Sequence, residues 1–229
     1  MRIASSLHGR LIGQTLCFLL TGLLCAASAQ SRKPLEVRFA AQAKPSKLDD
    51  LVMVGEEARS DPFALPINYL TEPQEAPARV FRLEMEGKEQ TLATVKLPEE
   101  GNEFIVLLVP GVESVFEPVV IPARSSSFRP GDFYLHNVSK KPVLGKVGTT
   151  QFTIKPRSGE VVRPKGAREE RFYDVIIGVQ EKPKPRVIST SRWPLNANMR
   201  TYVFFFDNPK RGDVDFRAID EFVPPEKND

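Results

Sequence analysis

The chain has 229 residues, with 32 Lys and Arg against 29 Asp and Glu, and only 2 His and 2 Cys. Both cysteines, Cys17 and Cys25, and one histidine, His8, fall in the first 25 residues, ahead of the part that carries the folding pattern. The remainder therefore cannot form a disulfide, a thiolate zinc site or a cysteine nucleophile, and His136 is its single histidine, too few for a histidine-rich metal centre.

The N-terminus predicts a secretory signal peptide over residues 1–29. Arg2 and Arg10 form a basic start, Leu16 to Leu24 an apolar run, and Ala27-Ser28-Ala29 a small-residue cleavage site before Gln30. The apolar run is well short of the ~20 residues that span a bilayer. Leu24 before Cys25 argues against lipidation, where a small residue is needed. Removing Arg2 and Arg10 leaves 30 bases against 29 acids, a side-chain balance of plus one. That balance offers no electrostatic basis for binding nucleic acid or an anionic membrane. The expected location is the periplasm or the extracellular space, with no membrane span after processing.

All 20 prolines and 14 of the 15 phenylalanines lie beyond residue 29, a composition suited to many strands joined by rigid turns. In chain order, Leu35, Val37, Phe39 and Ala41 alternate with polar neighbours, as do Phe81, Leu83 and Met85, which predicts half-buried strands. Residues 47–59 read as either a short helix or a strand at Val52-Met53-Val54. Residues 57–78, with four prolines, read as an extended, packed loop. Two runs are apolar on both faces, Phe104 to Val109 and Tyr202 to Phe206, and predict central strands. Between and after them, strands are expected at 115–121, 133–138, 143–147, 151–154, 160–163, 171–179, 186–190 and 214–219. Turns are expected at Arg129-Pro130-Gly131-Asp132, Arg157-Ser158-Gly159-Glu160 and Lys210-Arg211-Gly212-Asp213.

This spacing predicts an all-β fold, an antiparallel β-sandwich of immunoglobulin-like or jelly-roll-like type with little helix. The expected layout is one domain over 30–220, or alternatively two small β domains split near 110–115, followed by a disordered tail over 221–229. Phe104, Val106, Leu108, Leu135, Phe152, Val175, Ile177, Phe204 and Phe206 are expected to be buried together. No internal repeat is visible in the residues.

Phe128-Arg129-Pro130-Gly131-Asp132-Phe133-Tyr134-Leu135-His136-Asn137-Val138-Ser139, then Pro156-Arg157-Ser158-Gly159, Thr190-Ser191-Arg192-Trp193-Pro194 and Arg200 to Phe205 resemble a loose family of exported bacterial β-sandwich proteins. The resemblance covers about residues 101–220. It implies an all-β fold and export, and brings no activity and no functional residues.

Single features weigh toward ordinary roles. His136 could serve a hydrolase only if other strands brought a nucleophile and an acid to it. Asn137-Val138-Ser139 is a glycosylation sequon on paper, and Arg211-Gly212-Asp213 is ordinary hairpin chemistry. Asp213, Asp215 and Arg217 read as one solvated strand face, with a contact between Asp215 and Arg217, rather than a calcium site. Arg192 and Trp193 are the candidate binding residues, as a stacking platform or a cation–π pair, with core or edge packing as the competing role. No catalytic residue, metal ligand or cofactor is indicated. The expected function is a non-enzymatic exported module that binds another envelope protein. A carbohydrate-binding module that takes a glycan and a hydrolase built around His136 are the alternatives.

Overall fold

The computed structural model describes residues 33–112 and 114–225. The expected signal peptide, its cleavage point before Gln30, and the end of the tail over 226–229 lie outside the described residues. From Lys33 onward the chain forms one compact unit. It contains fifteen strands in four sheets and no helix among the described residues. The fold is an all-β sandwich.

The first half supplies β1 (Glu36–Ala41), β2 (Leu51–Val54), β3 (Gln74–Glu75), β4 (Val80–Met85), β5 (Thr91–Lys96), β6 (Glu103–Pro110) and β7 (Phe116–Pro122). They form an inner sheet ordered β3-β1-β6-β7 and an outer sheet ordered β2-β4-β5. The second half supplies β8 (Phe133–Asn137), β9 (Val143–Val147), β10 (Thr150–Ile154), β11 (Ser158–Val162), β12 (Phe172–Val179), β13 (Arg186–Pro194), β14 (Met199–Asn208) and β15 (Asp213–Phe222). These form an inner sheet ordered β11-β8-β14-β15 and an outer sheet ordered β10-β9-β12-β13. The ambiguous segment 47–59 is thus a strand at its centre. The chain crosses from the first pair of sheets to the second over residues 123–132. The turn at 110–115 instead joins β6 to β7 within one sheet.

Three apolar layers hold the four sheets. Val37, Phe39, Leu83, Val95, Phe104 and Val106 pack inside the first stack, and Leu135, Phe152, Val175, Ile177, Val203 and Phe205 inside the second. A third layer joins the two inner sheets through Ala40, Ile105, Leu107, Val109, Phe128, Tyr202, Phe204 and Ile219. This explains why β6 and β14 are apolar on both faces: successive side chains leave a strand on opposite sides, and each of these strands has a core on both. The residues expected to share one core are therefore divided among three. Phe206 is half-buried, because β14 runs past the end of the packed layer there.

Most pairings are antiparallel, but β1 lies parallel to β6 and β8 parallel to β14. These two pairs expose an internal duplication. In the first stack β1 and β6 are flanked by β3 and β7, and in the second β8 and β14 are flanked by β11 and β15, with the same directions in the chain. The outer sheets match as β2-β4-β5 and β9-β12-β13, the hairpin strand β10 being added at one edge of the second. The repeat escapes detection in the residues because a sheet position specifies only which face is buried, and many side chains satisfy that.

Candidate functional site

The two stacks differ at one edge. In the first, β5 of the outer sheet lies against β7 of the inner sheet, so the sandwich is closed there. The equivalent strands of the second stack, β13 and β15, are bridged at one end by Arg186, whose Nη1 and Nη2 donate to Asp213 Oδ2 and Oδ1 at 2.7 and 2.8 Å. Beyond that clamp the seam opens into two cavities. One of about 350 Å³ lies beside Ile188, Ser189 and Asp213 to Phe216. The other, of about 170 Å³, has Phe133, Trp193, Val203 and Phe216 among its apolar walls and Asn196, Thr201 and Asp220 among its polar lining.

Trp193 comes to this seam by strand alternation. Along β13 the side chains of Ser189, Ser191 and Trp193 are half-buried, while Thr190 and Arg192 are exposed. The indole sits beside Phe133 at 5.1 Å between ring centroids and beside Phe216 at 6.1 Å, tilted against both. Arg192 points to the opposite face of the sheet and lies over Phe172, 4.6 Å from the ring centroid. The two residues therefore do not make one platform. Trp193 is both a packing residue and a wall of the cavity. Next to it, Ser191 Oγ is buried without a hydrogen-bond partner among the described residues.

The cavity's polar lining is tightly held. Asp132, buried at the foot of β8, accepts Arg163 Nε and Nη2 at 2.9 and 2.7 Å and the backbone N–H of Arg129 at 2.9 Å. Thr201 Oγ1 donates to Asp220 Oδ1 at 2.7 Å. Asp220 is exposed and forms no ion pair among the described residues.

Other singled-out residues serve the fold. Asn137 is wholly buried, donating to the carbonyls of Lys141 and Ile154 and accepting from Ser139 N and Oγ, so the sequon's amide is not free for a glycan. His136 faces the layer between the inner sheets, stacks 6.1 Å from Tyr134, and forms no hydrogen bond to a serine or a carboxylate among the described residues. Burial, with a smaller contribution from the Arg157 charge, lowers its pKa to about 4, so it is neutral at physiological pH. The face holding Asp213, Asp215 and Arg217 is not a free solvated surface. Asp215 binds Asn208 and Arg211, and Arg217 reaches across to the carbonyls of Ala41 and Gln42 in the first half. No cluster of three or more His, Cys, Asp or Glu arranged to hold a metal occurs among the described residues.

One buried polar cluster lies outside the residues that the sequence singles out. Arg200 donates through Nε and Nη2 to Glu221 Oε2 at 2.9 and 2.7 Å, Tyr202 Oη donates to the same oxygen at 2.6 Å, and Arg38 Nη1 donates to Oε1 at 2.9 Å. Arg38 Nε also binds the Thr71 carbonyl, and Arg200 Nη1 the Ala123 carbonyl. A cavity of about 400 Å³ adjoins the cluster. The two arginines saturate Glu221, so the group acts as a polar rivet between the stacks rather than a receptor. No protein-family model matches the chain, and no curated protein is similar enough to it to count as a relative.

Proposed function

We propose that the protein is a non-enzymatic binding module, exported from the cytoplasm, that engages another envelope protein through the seam between β13 and β15. The observation that carries this reading is the open, aromatic-walled cavity of about 170 Å³ at that seam, where the duplicated first stack is closed by its own strands. An apolar cavity with few polar groups at its mouth is the usual form of a recognition site, because it rewards burial of an apolar group and uses the polar lining for orientation. The lining offers little for chemistry: Asp132 is bound by a guanidinium and Thr201 by Asp220. Export and likeness to exported β-sandwich proteins belong to the same proposal and rest on the N-terminal pattern and the motifs around Phe128 to Ser139.

A protein ligand fits better than a glycan. Sugar platforms present a flat indole face to solvent, whereas Trp193 is half-buried with Phe133 and Phe216 tilted against it. The test is capture from envelope extract with wild type and with Ala218→Phe as paired baits. Ala218 is exposed on β15 and borders the cavity, so the added ring fills the opening without disturbing the core. A partner retained by wild type and lost with Ala218→Phe supports the reading. Equal capture by both baits overturns it.

A further inference from the structure

The edges of the four sheets are not equally protected. A free strand edge is a template for another strand, and proteins blunt it with shortness, prolines or local capping. Here β3 has two residues, and β7 carries Pro118 and Pro122. The N–H groups of Val214 and Phe216 on β15 are taken by the carboxylates of Asp213 and Asp215, at 2.8 and 2.9 Å. On β2, bridges from Phe63 and Arg59 to Leu51 and Val54 occupy the edge. By contrast β13 is nine residues long, with its one proline at the last position. Apart from the ladder to β12, the backbone of Ser189 to Trp193 has no hydrogen-bond partner among the described residues.

The loop that leads into that edge carries unmatched positive charge. Lys182 and Lys184, in the loop leading into β13, are exposed and form no ion pair among the described residues, and neither does Arg192. Of the acids along the seam, Glu181, Asp213 and Asp215 are matched by Lys141, Arg186 and Arg211, while Asp220 at the cavity, bonded to Thr201, has no ion pair among the described residues.

Resting on the reading of the seam as a protein-binding site, we propose that β13 receives an extended acidic segment of the partner as an added strand. One apolar side chain of that segment enters the cavity walled by Trp193, Phe133 and Phe216. Main-chain hydrogen bonds to Ser189–Trp193 give the affinity of such an addition, and the cavity and the charges give its specificity. The buried Ser191 hydroxyl, which has no partner among the described residues, offers one further bond at the seam. In the first stack the equivalent seam is closed by β5 against β7, so the incoming strand completes in the second what the chain completes for itself in the first.

The chain contains a single tryptophan, so its fluorescence reports on this site alone. The probe is a nine-residue peptide of alternating Thr and Val with a central Phe and flanking Glu residues. Its companions are a Lys version and two Glu versions N-methylated on alternate amides, one set for each edge of the peptide. The Glu peptide is expected to shift Trp193 emission. One methylated set should bind at least about tenfold more weakly while the other binds normally, because strand addition uses one edge of the incoming chain. The Lys peptide should also bind at least about tenfold more weakly, and the double variant Lys182→Glu with Lys184→Glu should reverse the charge preference, both effects fading in high salt.

Equal binding by both methylated sets, or by the Glu and Lys peptides, refutes strand addition by an acidic segment. If no peptide binds while Ala218→Phe still abolishes capture of the envelope partner, the strand inference fails and the wider reading stands. If an oligosaccharide such as chitohexaose shifts Trp193 and no peptide does, both fail and the site belongs to a glycan.

Discussion

The two stacks share one strand plan, yet they have diverged at the edge where outer and inner sheets meet. In the first stack, β5 lies against β7 and closes the sandwich at that edge. In the second, β13 and β15 are pinned by the Arg186–Asp213 bridge at one end and leave a gap floored by aromatic rings at the other. A duplicated fold can thus keep one copy as scaffold and open the other. The middle layer and the Arg38–Glu221–Arg200 rivet tie the open copy to the closed one, so the seam rests on a rigid base.

The sharpest way to break that coupling is to hollow the middle layer. Phe204 is fully buried between the inner sheets, and Phe204→Ala should cost about 3 to 5 kcal/mol, the range for large buried aromatic deletions. Phe206→Ala, at a half-buried position on the same strand, should cost roughly half of that or less. Denaturant titration of the two variants separates them, and equal losses would contradict the layered assignment. Glu221→Ala should be nearly as severe, about 3 to 5 kcal/mol, because it leaves the buried Arg200 without its carboxylate. Glu221→Gln should recover part of that loss by keeping one acceptor oxygen.

These positions also show what the sequence could and could not say. The two-sided apolar runs at 104–109 and 202–206 marked the central strands, and most of the turns fell where glycine, proline and aspartate stood. The layering was hidden, since a strand buried on both faces looks the same whether its second face meets its own domain or a repeat of it. The Arg200–Glu221 pair was within reach. Asn208 pairs with Asp213 across the hairpin turn, and stepping eight residues outward on each strand brings Arg200 opposite Glu221. Trp193 was legible as a candidate because it is the single indole, but the alternation that separates it from Arg192 needed the true extent of β13, which runs to Pro194 rather than ending at 190. The open seam had no local signal at all, because it depends on two edge strands 27 residues apart in sequence, as Arg186 and Asp213 are.

Acid should loosen the join between the stacks before it affects the seam. His136 has its pKa lowered to about 4 in the folded protein, against about 6.5 for an unperturbed histidine. The unfolded chain therefore binds more protons between these values, and stability falls as pH drops from 6.5 toward 4, then levels. The loss attributable to this group is about 3 kcal/mol, since each tenfold weakening of proton binding on folding corresponds to about 1.4 kcal/mol. Above pH 6.5 the imidazole is neutral in both states and contributes no slope. A His136→Leu variant should show a flatter stability profile over that window in thermal melts at fixed ionic strength. An unchanged slope would place the acid sensitivity elsewhere.

At the seam, Trp193→Ala should cost about 1 to 3 kcal/mol, less than a fully buried tryptophan, since one side of the indole already borders a cavity. Its emission in the wild type should be intermediate in wavelength and partly quenchable by iodide. A fully protected spectrum would mean that the seam closes in solution.

The smallest effect should come from Arg192, and it tests whether the neighbouring pair acts as one body. Arg192 is exposed, and its guanidinium lies over the ring of Phe172 on the outer face. An exposed cation–π contact contributes about 0.5 to 1 kcal/mol, so Arg192→Ala should lower stability by no more than that. Because Trp193 faces the opposite side of the sheet, against Phe133 and Phe216, the two side chains share no contact. The double variant should therefore show the sum of the single effects to within about 0.5 kcal/mol. A coupling larger than that would mean that the two residues do form a joint platform and that β13 does not divide them between its faces. Additivity in stability, together with a loss of partner affinity in both single variants, would show Trp193 acting through the cavity and Arg192 through charge at the strand edge.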